Sequence, residues 1–242
     1  LGKPLFNMYN SDALWLTHWN LNVLWGLAWP EILDDFSASL VQYAKNGGLL
    51  PRGPNVGGYS YIMTGNPATS LLVSTYQKGI LNKTSPKVAF DIMNENHKPG
   101  GMMGDTPEEL QFYIDNGYCP GNAGKTLEWS FQDWSLAQMA KKMGKLKEYN
   151  YYNNRANNWT NLYRSEKGLI FPKDENGEWL HDDPLSMKGW VESNSWQGSW
   201  QVSHDIPTLS RLMSGNDSLA FKLNYAFEKS IVDDFVYGYG NG

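Results

Sequence analysis

The sequence predicts an all-α fold, because signals that begin and end helices alternate along most of its length. Proline follows a capping side chain at Asn66-Pro67, Ser85-Pro86 and Thr106-Pro107, and its missing N–H costs nothing in a first helical turn. Glycine, which closes a last turn in the left-handed conformation, recurs at Gly47, Gly79, Gly117, Gly144 and Gly215. Apolar residues at helical spacing fill the intervals, most clearly over residues 127–143.

Ten helices are predicted, near residues 12–29, 31–45, 67–78, 86–96, 107–115, 124–143, 145–163, 194–203, 207–214 and 217–232. The third, fourth and fifth begin at the proline signals, and Glu109, three residues after Thr106, adds a capping box to the fifth. The second, third, fifth, sixth and ninth end beside the glycines. Two long loops, 48–65 and 164–189, interrupt the series and are candidates for function. Asn176-Gly177 indicates a short hairpin in the second loop.

The composition excludes several classes of function and of binding site. A formal charge of −5 argues against nucleic acid as a partner. The longest apolar run, residues 23–29, is too short for the roughly 20 residues of a membrane helix. The single cysteine, Cys119, rules out an internal disulfide or a multi-thiolate metal site. The chain is nevertheless 14% aromatic, so binding of a flat or ring-shaped ligand is a natural hypothesis.

The first aromatic segment carries two interpretations. On the predicted first helix, His18, Asn22, Trp25 and Trp29 share one face. Such a face can be a tryptophan-rich core with a hydrogen-bonded histidine. It can equally present rings to the C–H faces of a sugar and polar groups to its hydroxyls.

A second segment surrounds Glu192. Trp196 and Trp200 are four apart, as are Gln197 and Gln201, so a helix would carry an aromatic stripe beside an amide stripe. Glu192, just before it, either favours the positive end of that helix, with Ser193 as the cap, or serves as a general acid.

A third segment, residues 125–142, places Glu128 and Asp133 five apart and therefore not as a catalytic dyad. It is interpreted as a core helix with solvated edges. Nucleophile-elbow, phosphate-loop and dinucleotide motifs are absent, and the four scattered histidines do not form a zinc motif.

Four sequence blocks together resemble glycoside hydrolase family 92, a family of exo-acting α-mannosidases. They lie at residues 58–68 through 76–80, 117–120, 126–129 with 133–140, and 191–197 with 204–207. The resemblance implies that residues 1–242 are the central part of an (α/α)6-type catalytic barrel, without the family's N-terminal β-sandwich and C-terminal segment. It also implies secretion or a periplasmic or cell-surface location.

The resemblance further implies calcium-dependent hydrolysis of terminal mannose from mannose-containing glycans with inversion. The block Val191-Glu192-Ser193-Asn194-Ser195-Trp196-Gln197 then makes Glu192 the general acid. The general base is expected beyond Gly242, so this chain alone is expected to be inactive. Calcium ligands are expected at Asn194 and Gln197. The sugar contacts are expected at Asp12, Trp15, His18, Asn22, Trp196, His204 and Asp205.

Three positions depart from the family pattern. Leu16 stands where many members have a sugar-binding aspartate, which Asp12 could replace; Ser193 stands where glycine is common, and Gly198 where tyrosine is common. Two alternatives therefore stay open. One is a mannose-binding or scaffold domain that no longer cleaves, and the other is a helical interaction domain whose aromatic residues are all core.

Overall fold

The structure is a computed structural model that describes residues 4–11 and 13–232, and most of these residues are helical. Helices in this part of the chain are α1 (Leu21–Ala28), α2 (Pro30–Gly47), α3 (Ala68–Gln77), α4 (Pro86–Asn96), α5 (Pro107–Asn116), α6 (Ala123–Lys142), α7 (Leu146–Arg155), α8 (Ser195–Gly198), α9 (Ile206–Leu212) and α10 (Asn216–Val232). A 3₁₀ helix covers Asn158–Leu162. The predicted helical class is confirmed for the bulk of the described chain, with two small sheets beside it.

The proline signals mark helix starts as predicted, but Ser85 makes no side-chain capping hydrogen bond and the predicted stop at Gly47 is wrong by one residue. Pro86 and Pro107 are the first residues of α4 and α5, and α3 begins directly after Pro67. Helix α2 includes Gly47, and the residue after it, Gly48, is the left-handed cap, with φ +91° and its N–H donated to the carbonyl of Ala44 at 2.8 Å.

Three predicted helices are shorter than expected. The first begins at Leu21, because Thr17 bonds back to Leu14 through both its N–H and its hydroxyl, which closes turns instead of helix. It ends before Trp29, because Pro30 disfavours a helical conformation in the residue before it. The predicted helix 145–163 stops at Arg155, and 194–203 is the single turn α8. His18 and Trp29, both predicted to lie in the first helix, are therefore outside α1.

The loop over residues 48–65 is ordered around a buried arginine. Strands β1 (Gly53–Asn55) and β2 (Gly58–Ser60) pair antiparallel. Arg52, 1% exposed, donates to the carbonyls of Gly65 at 2.7 Å and Met63 at 2.8 Å. It also donates to the carbonyls of Tyr61 and Met102 and to the Asp105 carboxylate.

The second long loop contains β3 (Tyr163–Arg164) and β4 (Leu169–Ile170), which pair antiparallel. The hairpin predicted at Asn176-Gly177 reduces to a single bridge between Lys173 and Trp179, with Gly177 at φ +87° in the turn.

The chain divides into two compact units. The first comprises Leu1–Gln111 and Gln132–Ala156, and its core joins α2, α3, α4 and the C-terminal half of α6. The second comprises Phe112–Phe131 and Asn157–Gly242, with a core that includes Leu127, Trp159 and Trp190. Within the described ranges, no helix is both long and apolar enough to cross a membrane.

Candidate active site

Glu192 lies in an irregular segment of the second unit, directly before α8. Its side chain is exposed, and its backbone has φ +48°, in the left-handed region that non-glycine residues seldom adopt. The predicted cap at Ser193 is wrong: Asn194 is the N-cap, fully buried, and its Oδ1 accepts the N–H of Gln197 at 3.0 Å. Glu192 is thus two residues before the cap, and its carboxylate is accessible to a ligand.

The predicted aromatic and amide stripes do not form, because α8 ends at Gly198, before Trp200 and Gln201. Trp196 instead packs on α10, its ring centroid 5.7 Å from that of Tyr225. A cleft of about 640 Å³ opens there, lined by Trp196, Met213, Ser214, Asp217, Ser218, Phe221, Lys222 and Tyr225. Rings beside hydroxyl and charged groups suit a sugar or a similar amphipathic ligand.

The remaining predicted residues of this unit stabilise the fold around the segment. Asp205 is the N-cap of α9, and its Oδ1 accepts the N–H of Thr208 at 3.3 Å. His204 packs against Phe131 at 6.0 Å between ring centroids. Glu128, expected at a solvated edge, is 6% exposed and accepts a 3.2 Å hydrogen bond from Gln201.

Trp15, His18 and Asn22 belong to the first unit. Trp15 and His18 lie in the turns before α1, and only Asn22 is in the helix, so they do not share one helical face. Asn22 is 2% exposed, and among the described residues neither amide atom of its side chain has a hydrogen-bond partner. Asp12 lies outside the described residues.

Burial lowers the pKa of His18 from 6.5 to about 4, so the ring is neutral at neutral pH. The unfolded chain takes up this proton near pH 6.5 and the folded chain only near pH 4. The stability that His18 contributes is therefore complete above pH 6.5 and is lost as pH falls toward 4.

We expect this loss to reach about 2–3 kcal/mol at pH 4.5. Urea unfolding of the chain and of its His18→Gln variant at pH 7.5 and pH 4.5 measures it, because the variant lacks this one titration. Identical pH dependence in the two proteins would contradict the assignment.

A buried charge network in the first unit was not predicted. The Asp133 carboxylate accepts from Nδ1 of His97 at 3.0 Å and from Nε of Arg155 at 2.9 Å. Asp133 and His97 are fully buried, Arg155 is 5% exposed, and burial lowers the pKa of His97. Arg155 also donates to the His97 carbonyl at 3.2 Å, so the network joins α6 and α7 to the residue that caps the C-terminus of α4. These side chains hold one another inside the unit, which favours a structural role.

Comparison with known families identifies the chain. Residues 2–241 match the model of the glycosyl hydrolase family 92 catalytic domain. The chain belongs to glycosyl hydrolase family 92. The exposed Glu192 and the buried Asn194 that follows it therefore lie within a family 92 catalytic domain.

Relatives agree with the assignment. A protein of Arthroderma benhamiae named an uncharacterized secreted glycosidase is 24% identical over 251 residues, covering 87% of this chain and 32% of the relative. An inverting mannosidase of family 92 from Bacteroides thetaiotaomicron is 28% identical with a TM-score of 0.82, covering 90% of this chain and 31% of that chain.

A family 92 α-mannosidase from the same bacterium, in complex with mannoimidazole, shares the fold with a TM-score of 0.83 at 24% identity, covering 93% of this chain and 31% of that chain. This chain thus spans about a third of the length of the relatives it matches.

The side-chain oxygens of Asn194 and Gln197, which follow Glu192 in the sequence, are of the kind that binds calcium. In the part of the chain that the structure describes, no three His, Cys, Asp or Glu side chains gather as a metal site. Both amide atoms of Gln197 are buried without a hydrogen-bond partner among those residues, and Oδ1 of Asn194 has accepted one backbone N–H. Side-chain amide oxygens are ordinary calcium ligands, so Gln197 and Asn194 fit a share of such a site.

Proposed function

We propose that this chain is part of a calcium-dependent, inverting exo-α-mannosidase that releases terminal α-linked mannose from mannose-containing glycans. The observation that carries the proposal is the exposed Glu192 carboxylate in a chain that matches the family 92 catalytic domain. The name of the Bacteroides thetaiotaomicron relative, an inverting mannosidase, supports the reaction class. We propose an (α/α)6-type barrel of which these residues are the central part.

In this proposal Glu192 is the general acid that protonates the leaving glycosidic oxygen. Inversion needs a second carboxylate that activates water on the opposite face of the sugar, about 6.5–9.5 Å from the acid. We expect that base outside residues 1–242, so catalysis is a property of the longer protein. The exposure of Glu192 supports this role, because the acid must reach the leaving oxygen directly or through one water.

The sugar contacts proposed within the chain are Trp15, His18, Asn22, Trp196, His204 and Asp205, with Asp12 as a further candidate. Buried amide atoms of Asn22 without a partner among the described residues support a ligand-facing role for that side chain. The cleft beside Trp196 supports an aromatic contact to the sugar or to its leaving group.

Gln197 and Asn194 would hold the calcium ion through their side-chain oxygens. When bound, calcium supplies fixed coordination for sugar hydroxyls and so helps to orient the ring. We propose secretion or a cell-surface location, which the name of the Arthroderma benhamiae relative supports.

Proton NMR of α-linked mannobiose, incubated with the full-length protein in calcium or in chelator, tests the proposal. We expect mannose to appear first as the β-anomer, and only with calcium. Release of the α-anomer first would contradict inversion, and equal release in chelator would contradict calcium dependence.

Leu16 favours a second candidate, a mannose-binding domain that no longer cleaves. Its side chain is 49% exposed at the position where the family pattern places a sugar-binding aspartate. This candidate predicts saturable binding of mannobiose without released mannose in the same NMR experiment.

A further inference from the structure

Glu192 is held in a backbone conformation that needs support from its surroundings. At φ +48° a non-glycine residue costs about 1–2 kcal/mol relative to ordinary conformations. Such strain persists only where neighbouring contacts over-determine it, and it often occurs at functional sites. The contacts on each side of Glu192 therefore constrain the backbone from which its carboxylate projects.

On the C-terminal side, Asn194 anchors the segment. Its side chain is fully buried and caps α8 through the N–H of Gln197 at 3.0 Å. The next residue, Ser195, donates its N–H to the carbonyl of Pro184 at 3.1 Å. The chain is thus fixed two residues after Glu192.

On the N-terminal side of Glu192, Trp190 anchors the segment. Trp190 is 9% exposed, and its indole covers the α-carbon of Gly198 at the other end of α8. A Cβ added at Gly198 would lie 2.6 Å from Cη2 and 2.8 Å from Cε3 of Trp190, so the indole occupies the space that a side chain would need. The preceding carbonyl, of Gly189, accepts the N–H of Ala123 at 2.8 Å. Helix α8 therefore holds the segment on both sides of Glu192.

We propose that Trp190, seated on Gly198, is a positioning residue for the Glu192 carboxylate. Trp190 acts through the backbone of residues 190–194 and through α8, and it does not contact the reacting atoms. This inference rests on the proposed role of Glu192 as the general acid. It assigns to Gly198, a departure from the family's tyrosine, the function of admitting the indole.

The test compares two substrates whose leaving groups differ in their need for a proton from the general acid. Protonation by Glu192 is essential when a sugar hydroxyl leaves, as in α-linked mannobiose, and dispensable when an activated phenol leaves, as in dinitrophenyl α-mannoside. A displaced acid therefore slows the first substrate selectively. A general loss of folded protein slows both substrates by the same factor.

Gly198→Ala in the full-length protein adds a single methyl group, and that group clashes with the indole of Trp190. We expect kcat for mannobiose to fall by up to about 10²-fold, the loss that a misplaced group of about 1 Å can cause, with KM nearly unchanged. The kcat for the dinitrophenyl substrate is expected to stay near that of wild type. Trp190→Ala should give the same selectivity, and Trp190→Phe, which keeps a ring over Gly198, should restore most of the activity.

Trp159→Phe is the matched control, because Trp159 is a fully buried tryptophan in the same core cluster. It should change both substrates equally. Glu192→Gln tests the role of Glu192 separately from that of Trp190. If Glu192→Gln does not slow mannobiose more than the dinitrophenyl substrate, Glu192 is not the general acid. If Glu192→Gln is selective but Gly198→Ala slows both substrates equally, as the control does, the positioning role of Trp190 is overturned.

Discussion

Replacing Glu192 by glutamine in the full-length protein should lower kcat for α-linked mannobiose by about 10²–10⁴-fold, the usual contribution of a general acid. Glutamine keeps the shape of the side chain but cannot donate a proton to the leaving oxygen. Mannobiose binding should persist, because the exposed carboxylate in the folded chain is replaced by an isosteric amide. Steady-state kinetics combined with titration calorimetry measures both quantities.

Glu175→Gln is the matched control, since Glu175 is also an exposed glutamate of the second unit. It should leave kcat and binding unchanged. Turnover by Glu192→Gln close to that of wild type would refute the assignment of the acid, and loss of binding would indicate that Glu192 mainly holds the ground-state sugar.

The second large effect is expected in the buried network of the first unit. Asp133→Asn should lower the free energy of unfolding by about 3–5 kcal/mol, because removing one partner leaves a buried charge uncompensated. The Arg155 guanidinium, 5% exposed, would then face an amide oxygen in place of a carboxylate. Urea unfolding of the chain, followed by circular dichroism, measures the change.

Asp91→Asn provides the comparison. Asp91 pairs with Lys87 one helical turn away, but side-chain exposures of 47% for Asp91 and 75% for Lys87 place this pair on the surface. Its loss should cost at most about 1 kcal/mol. Equal destabilisation by the two substitutions would mean that the Asp133 network contributes no more than a surface ion pair.

The sequence predicts the helices well wherever a local signal fixes an end. Pro86 and Pro107 begin their helices, and α2 is capped by a left-handed glycine, Gly48, one residue after the predicted Gly47. Predictions fail where hydrogen bonds within a few residues compete with helix formation. Thr17, which bonds back to Leu14, delays the start of α1, a competition that apolar spacing does not register.

In the candidate site too, residues close together in the sequence could be predicted, and residues that meet only through tertiary packing could not. Glu192, Asn194 and Gln197 could be proposed from the sequence because the family resemblance covers the contiguous block in which they lie. His97, Asp133 and Arg155 cannot be joined from sequence, since they are 36 and 22 residues apart and meet only through packing. The exposure of Glu192 and the packing of the Trp190 indole against Gly198 likewise depend on tertiary contacts.

Arg52 has a consequence for how the loop over residues 48–65 responds to its environment. Four of its five hydrogen-bond acceptors are backbone carbonyls, which carry no ionisable group. A guanidinium keeps its charge at any pH that a folded protein tolerates, and buried contacts are screened little by salt. We therefore expect the shape of this loop to change little with pH or ionic strength.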